Sequence, residues 1–206
     1  MLLKNEEVIC TTCLHDLPLT NFHFHNENPV KKVFYGRFPI ENATSLLQFH
    51  KKSSVQKLIH QLKYRGRREI STYLGKWMGE ELTKSPFFKN IDVVIPVPLH
   101  KKKLKSRGFN QVEGFGREIS KLLKVPYNDA ALQKTSFSTT QTLKARLARW
   151  GNIEETFVLR HPEDLQDKHI LLVDDLITTG ATMEACANEL LKSPGVKISI
   201  ASMAVA

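Results

Sequence analysis

The residues from His169 to Thr182 constrain the fold of this chain more than any other part of its sequence. Ile170–Val173 is a continuous apolar run, which predicts a strand buried on both faces, as in a parallel sheet. The run stops at two adjacent carboxylates, Asp174 and Asp175, and a short hydroxyl-rich turn and a helical pattern over residues 183–192 follow. The sequence therefore predicts an α/β domain with polar groups at the carboxyl end of a central strand.

Strand and helix patterns alternate along most of the remaining chain. Apolar spacings of three and four residues predict helices beginning at Ser54, over 68–84 and from 109 or 110 to 123. Short apolar segments predict further strands over 32–38, 43–50, 91–95, 156–159 and 197–205. This alternation is typical of a doubly wound, mostly parallel sheet, which binds ligands beyond the carboxyl ends of its strands.

The turn after the acidic pair has the chemistry of a sugar-phosphate site. Thr178, Thr179 and Thr182 supply hydroxyl donors, and Gly180, followed by Ala181, lets the backbone approach a ligand closely. The helix that follows presents N–H groups and the positive end of its dipole to a phosphate. The two carboxylates can accept hydrogen bonds from a pair of ribose hydroxyls.

A second motif follows the predicted strand over 91–95. Pro96 and Pro98, separated by Val97, force a stiff and extended exit from that strand, which preorganises backbone groups for an anion. Four lysines and Arg107 come next on a segment that we expect to be an exposed loop. These lysines are Lys101, Lys102, Lys103 and Lys105.

The composition narrows the class of protein without naming a ligand. The formal net charge is +9, which suits a polyanionic partner, either a nucleic acid or a small molecule with several phosphates. No apolar run approaches the roughly 20 residues that span a bilayer, and no secretory signal is recognised. Three cysteines do not make a disulfide framework, so a cytoplasmic location is expected.

The segment 170–182 closely resembles the phosphoribosyl-pyrophosphate (PRPP) loop of type I phosphoribosyltransferases. The resemblance implies that Asp174 and Asp175 hold the ribose hydroxyls and that the turn from Thr178 to Thr182 holds the 5-phosphate. It also implies that the loop of Pro96, Val97 and Pro98 binds pyrophosphate.

Further motifs resemble the ComF branch of that superfamily, a bacterial group associated with natural competence and DNA uptake. They are Val97-Pro-Leu-His100, Arg107-Gly-Phe-Asn-Gln111, Leu62-Lys-Tyr-Arg-Gly66 and the spaced residues Gln141, Leu143, Arg149, Asn152 and Phe157. The chain departs from the group at 134–137, where arginines are common. The resemblance implies a type I phosphoribosyltransferase-like domain over residues 31–206, with a small hood within 32–88, preceded by a zinc-knuckle-like, truncated segment over residues 1–30.

The activity implied by this resemblance is Mg²⁺-dependent transfer or hydrolysis of the phosphoribosyl group of PRPP. Asp174, Asp175 and Arg107 are the candidate catalytic residues, with Lys63 as a further cation for the leaving pyrophosphate. Residues 134–141 form a candidate lid that excludes water. Two alternatives stay open: a catalytically silent PRPP sensor, and an accessory protein of DNA uptake that binds single-stranded DNA or competence proteins.

Cys10 and Cys13 form one Cys-x-x-Cys pair near the start of the chain. Tetrahedral zinc needs four ligands, and many ComF-like chains carry two such pairs. Three interpretations remain: a truncated zinc site, a zinc site completed by His15, His23 or His25, and a turn with two thiols and no metal. Cys186, alone on the last helix, is interpreted as a small core residue.

Overall fold

The computed structural model describes residues 8–135 and 156–206, and its central element is a four-stranded parallel sheet. The six strands of the described chain are β1 (Asn42–Gln48), β2 (Val93–Pro96), β3 (Leu132–Thr135), β4 (Thr156–Leu159), β5 (His169–Ile177) and β6 (Lys197–Val205). The sheet has the order β1-β6-β5-β2, and β3 and β4 form a separate antiparallel pair. The predicted parallel α/β architecture is confirmed.

Seven α-helices of the described chain surround this sheet. They are α1 (Thr11–His15), α2 (Pro29–Val33), α3 (Ser54–Tyr64), α4 (Glu69–Lys84), α5 (Lys101–Arg107), α6 (Glu113–Leu123) and α7 (Ala181–Leu190). Short 3₁₀ turns occur at Phe22–Phe24, Pro86–Phe88 and Pro162–Leu165. Within the described ranges, no helix combines the length and the apolar character needed to cross a membrane.

The central strand β5 separates two apolar cores, because alternate side chains of a strand point to opposite faces. Leu171 and Val173 join the core beneath α3, α4 and α6, whereas Ile170 and Leu172 join the core formed with α2 and α7. Cys186 is fully buried in the second core, as its interpretation as a core residue predicts. A strand buried on both faces is what the unbroken apolar run indicates.

The strand β5 does not end at the acidic pair, contrary to the sequence-based expectation. It continues to Ile177 because β6 still pairs with it there, with Asp174 opposite Ser202 and Ile177 opposite Val205. On the other side, β2 stops at Pro96, which is opposite Val173. The carboxylates therefore lie on a stretch of strand that is paired along one edge and open toward the proline loop along the other.

Two further expectations were wrong for local reasons. Residues 32–38 do not form a strand: α2 runs from Pro29 to Val33, and turns follow. The cause is a strong helix start, since the Asn28 side chain accepts a hydrogen bond from the Lys31 N–H at 3.0 Å and Pro29 occupies the first turn. The lysine-rich segment after Pro98 is likewise a helix, α5, rather than a loop, and Gly108 caps it with a φ of 76°.

The residues expected to form a hood are part of the main domain. Strand β1 pairs with β6 in the central sheet, and α3 and α4 cover one face of that sheet. Residues 17–28 lie along the outer edge of β1: Leu19 forms a bridge with Leu47, and the Asn28 side chain donates to the Ala43 carbonyl at 2.9 Å. A domain boundary at residue 30 stays a prediction.

Helices α4 and α6 pack closely because Gly75 has no side chain. A Cβ built on Gly75 would lie 2.6 Å from backbone atoms of Phe115, whereas one on Gly79 would lie 2.6 Å from the Leu122 side chain. Gly75→Ala should therefore lower the free energy of unfolding by about 1–3 kcal/mol, as overpacking does. Gly79→Ala should cost clearly less, because a side chain can turn away and a backbone cannot.

Urea denaturation of the two variants measures this difference. Both substitutions gain the same helix propensity, about 1 kcal/mol, so the comparison isolates the close backbone contact. Equal losses of stability would contradict the packing role given to Gly75.

Candidate active site at the carboxyl edge of the sheet

The carboxylate of Asp175 is the most enclosed polar group of the candidate site. The residue is only 4% exposed, and both of its carboxylate oxygens have partners. Lys63 Nζ lies 2.7 Å from Oδ1, and Gln111 Nε2 donates to Oδ2 at 2.6 Å. Arg107 in turn donates to the Gln111 side-chain oxygen at 2.9 Å. We call these four residues the Asp175 cluster.

Three separate helices bring these partners together. Lys63 lies in the last turn of α3, Arg107 ends α5, and Gln111 precedes α6. The Ser71 hydroxyl of α4 donates to the Gln111 carbonyl at 2.6 Å and accepts from the Phe115 N–H at 2.8 Å. This bridge fixes the backbone of Gln111, so the amide that reaches Asp175 is held in place by the packing of α4 on α6.

Asp174 is less buried than Asp175 and accepts a hydrogen bond from the Asp175 N–H at 2.8 Å. The two neighbouring carboxylates therefore stand in different surroundings. Asp175 is engaged by a cation and an amide, whereas Asp174 is nearer to solvent. Of the two, Asp174 is better placed to accept hydrogen bonds from hydroxyls of an arriving ligand.

The threonine turn lies directly beyond Ile177. Thr178 and Thr179 are exposed, and Gly180 is the N-cap of α7 with a φ of 79°. This left-handed conformation favours glycine. The turn therefore offers two hydroxyl groups beside the first N–H groups of a ten-residue helix.

Arg37, which is not part of the motif, stabilises this turn. Its guanidinium donates to the Thr179 carbonyl at 2.7 Å and to the Glu184 carboxylate at 3.3 Å. Glu184 lies in the first turn of α7, where its negative charge would repel an anion at the helix N-terminus. By pairing with Glu184, Arg37 reduces that repulsion and holds the turn.

The proline loop approaches the same edge of the sheet. Pro96 and Val97 are buried and Pro98 is half-buried. The Asn110 side chain donates to the Val97 carbonyl at 3.1 Å and accepts from the Val112 N–H at 3.2 Å, which ties the loop to the start of α6. Its side chains are thus used largely in packing, and any anion contact must come from the backbone or from neighbouring cations.

The Cys-x-x-Cys pair lies apart, on the short helix α1. The Cys13 N–H donates to Cys10 Sγ at 3.4 Å, and the hydrogen bond between the two thiols raises the pKa of Cys13. Of the candidate histidines, His15 lies beside Asp16 and His23 is buried against Glu81. Across residues 8–135 and 156–206, no group of three or more potential metal ligands is assembled. The zinc assignment stays a prediction, with Cys10 and Cys13 as neighbouring candidate ligands.

The structure brings most of the predicted site residues to one edge of the sheet. Asp174, Asp175, Lys63 and Arg107 meet through the Asp175 cluster, and the threonine turn follows on the same strand. Sequence reasoning missed the roles of Gln111, Ser71 and Arg37. The Arg-Gly-Phe-Asn-Gln motif contains Gln111, but nothing in the sequence indicates Ser71 or Arg37. Most of the candidate lid, residues 136–141, lies outside the described residues.

Comparisons with known proteins agree with this arrangement. Residues 113–206 match the phosphoribosyl transferase domain family. The chain is 28% identical over 201 residues to the DNA utilization protein YhgH of Escherichia coli O157:H7, covering 96% of this chain and 84% of that protein. It is 30% identical over 147 residues to the Salmonella typhimurium protein of the same name, covering 69% and 63% of the two chains.

A third relative is Competence protein F of Haemophilus influenzae, 29% identical over 107 residues, which cover 52% of this chain and 46% of that protein. These matches confirm the resemblance drawn from the motifs. Together they support the assignment of the chain to the ComF family, with a phosphoribosyl transferase domain match over residues 113–206.

A substitution at Gly180 would test the packing of the turn rather than its contact with a ligand. A Cβ on Gly180 would lie 2.8 Å from Phe34 and 2.9 Å from Val33, so it would point into α2 and the adjoining chain rather than toward a ligand. Gly180→Ala should lower the free energy of unfolding by the cost of a left-handed alanine, about 1–2 kcal/mol, plus about 1–3 kcal/mol for overpacking.

Gly36→Ala is the matched control for this prediction. Gly36 has a similar φ, 74°, but a Cβ there would meet no atom of the described chain within 4 Å. Thermal unfolding of both variants should show the larger loss for Gly180→Ala. Similar losses of stability in the two variants would mean that α2 shifts to make room for the new methyl group.

Proposed function

We propose that this chain binds PRPP together with Mg²⁺ and transfers its phosphoribosyl group to an acceptor or to water. The observation that carries the proposal is the convergence at one sheet edge of two carboxylates, an exposed threonine turn at a helix N-terminus, and two cations from distant parts of the chain. Each group matches one part of PRPP: the ribose diol, the 5-phosphate and the pyrophosphate.

The 5-phosphate is assigned to the threonine turn. Thr178 and Thr179 are exposed residues, and their hydroxyl groups lie close to the first N–H groups of α7, of which that of Ala181 donates to Thr179 Oγ1 at 3.4 Å. Both are suited to phosphate oxygens, and the helix dipole adds a favourable field. Ala181 keeps the first residue of the helix small.

The pyrophosphate is assigned to the side of the site that faces the proline loop. Arg107 and Lys63 supply positive charge there. Because β2 ends at Pro96, opposite Val173, the part of β5 beyond Val173 is not paired with β2 on this side. Departure of pyrophosphate leaves positive charge on the ribose ring and adds negative charge to the leaving oxygens. Fixed cations that face those oxygens stabilise such a transition state.

The carboxylate oxygens of the site suit Mg²⁺, a hard cation that prefers oxygen ligands. Mg²⁺ is usually held by one or two carboxylates together with waters and substrate phosphates, so the site needs no complete cage of protein ligands. Asp174 and Asp175 would hold it here through water. When bound, the ion would neutralise charge on the leaving pyrophosphate.

A catalytically silent PRPP sensor is the second candidate, and the engagement of Asp175 favours it. A general base needs an oxygen within reach of the proton it removes, yet both oxygens of Asp175 are bound to Lys63 and Gln111. In this alternative, Asp175 serves to hold the cluster together, and Asp174 alone contacts the ribose.

The names of the relatives support a link between the proposed activity and the use of DNA. The Escherichia coli and Salmonella relatives are called DNA utilization proteins, and the Haemophilus relative is called Competence protein F. We propose the same setting for this chain, with competence proteins or nucleic acid as its macromolecular partners.

Asp174→Asn should weaken PRPP binding in the presence of Mg²⁺. A hydrogen bond to a charged group contributes about 1.5–3 kcal/mol, so the dissociation constant should rise roughly 10- to 150-fold. Isothermal titration calorimetry measures the change. Asp164→Asn is the matched control, because Asp164 is exposed on a 3₁₀ turn before the amino end of β5, whereas Asp174 lies toward the carboxyl end of that strand. Unchanged affinity of Asp174→Asn would refute the ribose assignment.

A measurement of pyrophosphate release distinguishes the proposed transferase from the catalytically silent sensor. The protein with PRPP and Mg²⁺ should release pyrophosphate faster than buffer does, either alone or with one of a panel of bases, amines and oligonucleotides. Arg107→Ala should abolish the excess while PRPP binding persists in weakened form. PRPP binding with no release under any of these conditions would support the sensor and exclude the transferase.

A further inference from the structure

We propose that Lys63 is the resident cation of the Asp175 carboxylate and that it gives up this position to Mg²⁺ when PRPP binds. The inference rests on the proposed function and concerns how the site receives its metal. Lys63 Nζ lies 2.7 Å from Asp175 Oδ1. The same lysine is the candidate cation for the leaving pyrophosphate, so it has one anionic partner in the protein and a second in the ligand.

The carboxylate of Asp175 has no oxygen open to a hydrated ion. The residue is only 4% exposed, with Lys63 at Oδ1 and Gln111 Nε2 donating to Oδ2 at 2.6 Å. Mg²⁺ loses its waters reluctantly and usually keeps several of them when a protein binds it. For Asp175 to hold this ion, even through water, one of its two present partners must move.

Gln111 is the fixed partner of the two. Its side-chain oxygen accepts from Arg107 at 2.9 Å, and a guanidinium only donates, so the amide nitrogen must face the carboxylate, which only accepts. Turning the amide over would create two repulsive contacts. The Ser71 hydroxyl also holds the Gln111 carbonyl at 2.6 Å, which restrains the backbone.

Lys63 is the partner that can move. It lies in the last turn of α3, and its side chain is 20% exposed, with a flexible four-carbon stem behind the ammonium group. A divalent ion beside that ammonium is repelled, whereas the pyrophosphate of PRPP attracts both cations. The exchange is therefore favourable only with PRPP, and the ion pair compensates the buried charge of Asp175 until then.

The test titrates Mn²⁺ into the protein without PRPP and measures the free ion by electron paramagnetic resonance. Mn²⁺ shares the preference of Mg²⁺ for oxygen ligands. Lys63→Met keeps an unbranched apolar stem and removes the charge, so it should bind Mn²⁺ at least about tenfold more tightly than the wild type does. Equal affinities of the wild type and Lys63→Met would overturn the proposal.

Two further variants locate the effect. Lys57→Met makes the same charge change on the same helix, but Lys57 is exposed and lies about 9 Å farther along the axis. It should leave the Mn²⁺ affinity within about twofold of the wild type, because solvent and salt screen such a charge. Lys63→Met/Asp175→Asn should lose the gained affinity. Tight binding that persists in this double variant would place the metal elsewhere and refute the exchange.

Thermal unfolding gives a readout that does not depend on counting ions. Lys63→Met leaves a buried carboxylate without its cation, which is strongly destabilising. Mn²⁺ should therefore raise the unfolding temperature of Lys63→Met, followed by circular dichroism, more than that of the wild type. If this variant is unfolded without metal, Mn²⁺ should restore its folded spectrum. A variant that Mn²⁺ neither stabilises nor refolds would contradict the exchange.

Calorimetry of the wild type with PRPP and Mg²⁺ separates this inference from the proposed function. PRPP binding, combined with no gain of Mn²⁺ affinity in Lys63→Met, would overturn the exchange and leave the proposed function standing. A gain of Mn²⁺ affinity without PRPP binding would support Lys63 as the resident cation of Asp175 and refute PRPP as the ligand that displaces it.

Discussion

The burial of the Asp175 carboxylate is the constraint on which the candidate site depends. A carboxylate held at the edge of an apolar sheet has lost most of its hydration and must find partners within the protein. Lys63 and Gln111 supply them, from helices that are far apart in the sequence. Because α3, which carries Lys63, and α6, which follows Gln111, both pack on α4, the partners of the Asp175 carboxylate and the apolar core of the domain depend on the same arrangement of helices.

The threonine turn depends on packing in a similar way. Gly180 combines a left-handed backbone with a close approach to Val33 and Phe34, and Arg37 holds the neighbouring carbonyl. The region around α2, which carries none of the recognised motif residues, therefore shapes the loop to which the 5-phosphate is assigned. The glycine at this position is explained by the protein's own packing before any ligand is considered.

Two groups of basic side chains have different surroundings. Lys63 and Arg107 are engaged in the Asp175 cluster, where they face the candidate reaction site. Lys52, Lys57 and Arg65 line open space along α3, near the exposed Tyr64. The composition alone indicates a polyanionic partner, and only the structure shows that the basic side chains gather in separate places with different surroundings.

The sequence by itself determined the parallel sheet, the acidic pair, the threonine turn and the order of most helices, because these depend on local patterns: an apolar run, helical spacing, and prolines that end a strand. It failed at residues 32–38, where the cap formed by Asn28 and Pro29 outweighed strand-like composition, and at Asp174–Ile177, where pairing with β6 extended β5 past two charged residues. Only the tertiary structure decided that Asp175 is already engaged and that Ser71 and Arg37 support the site. Each of these joins residues distant in sequence, and local patterns carry no information about such contacts.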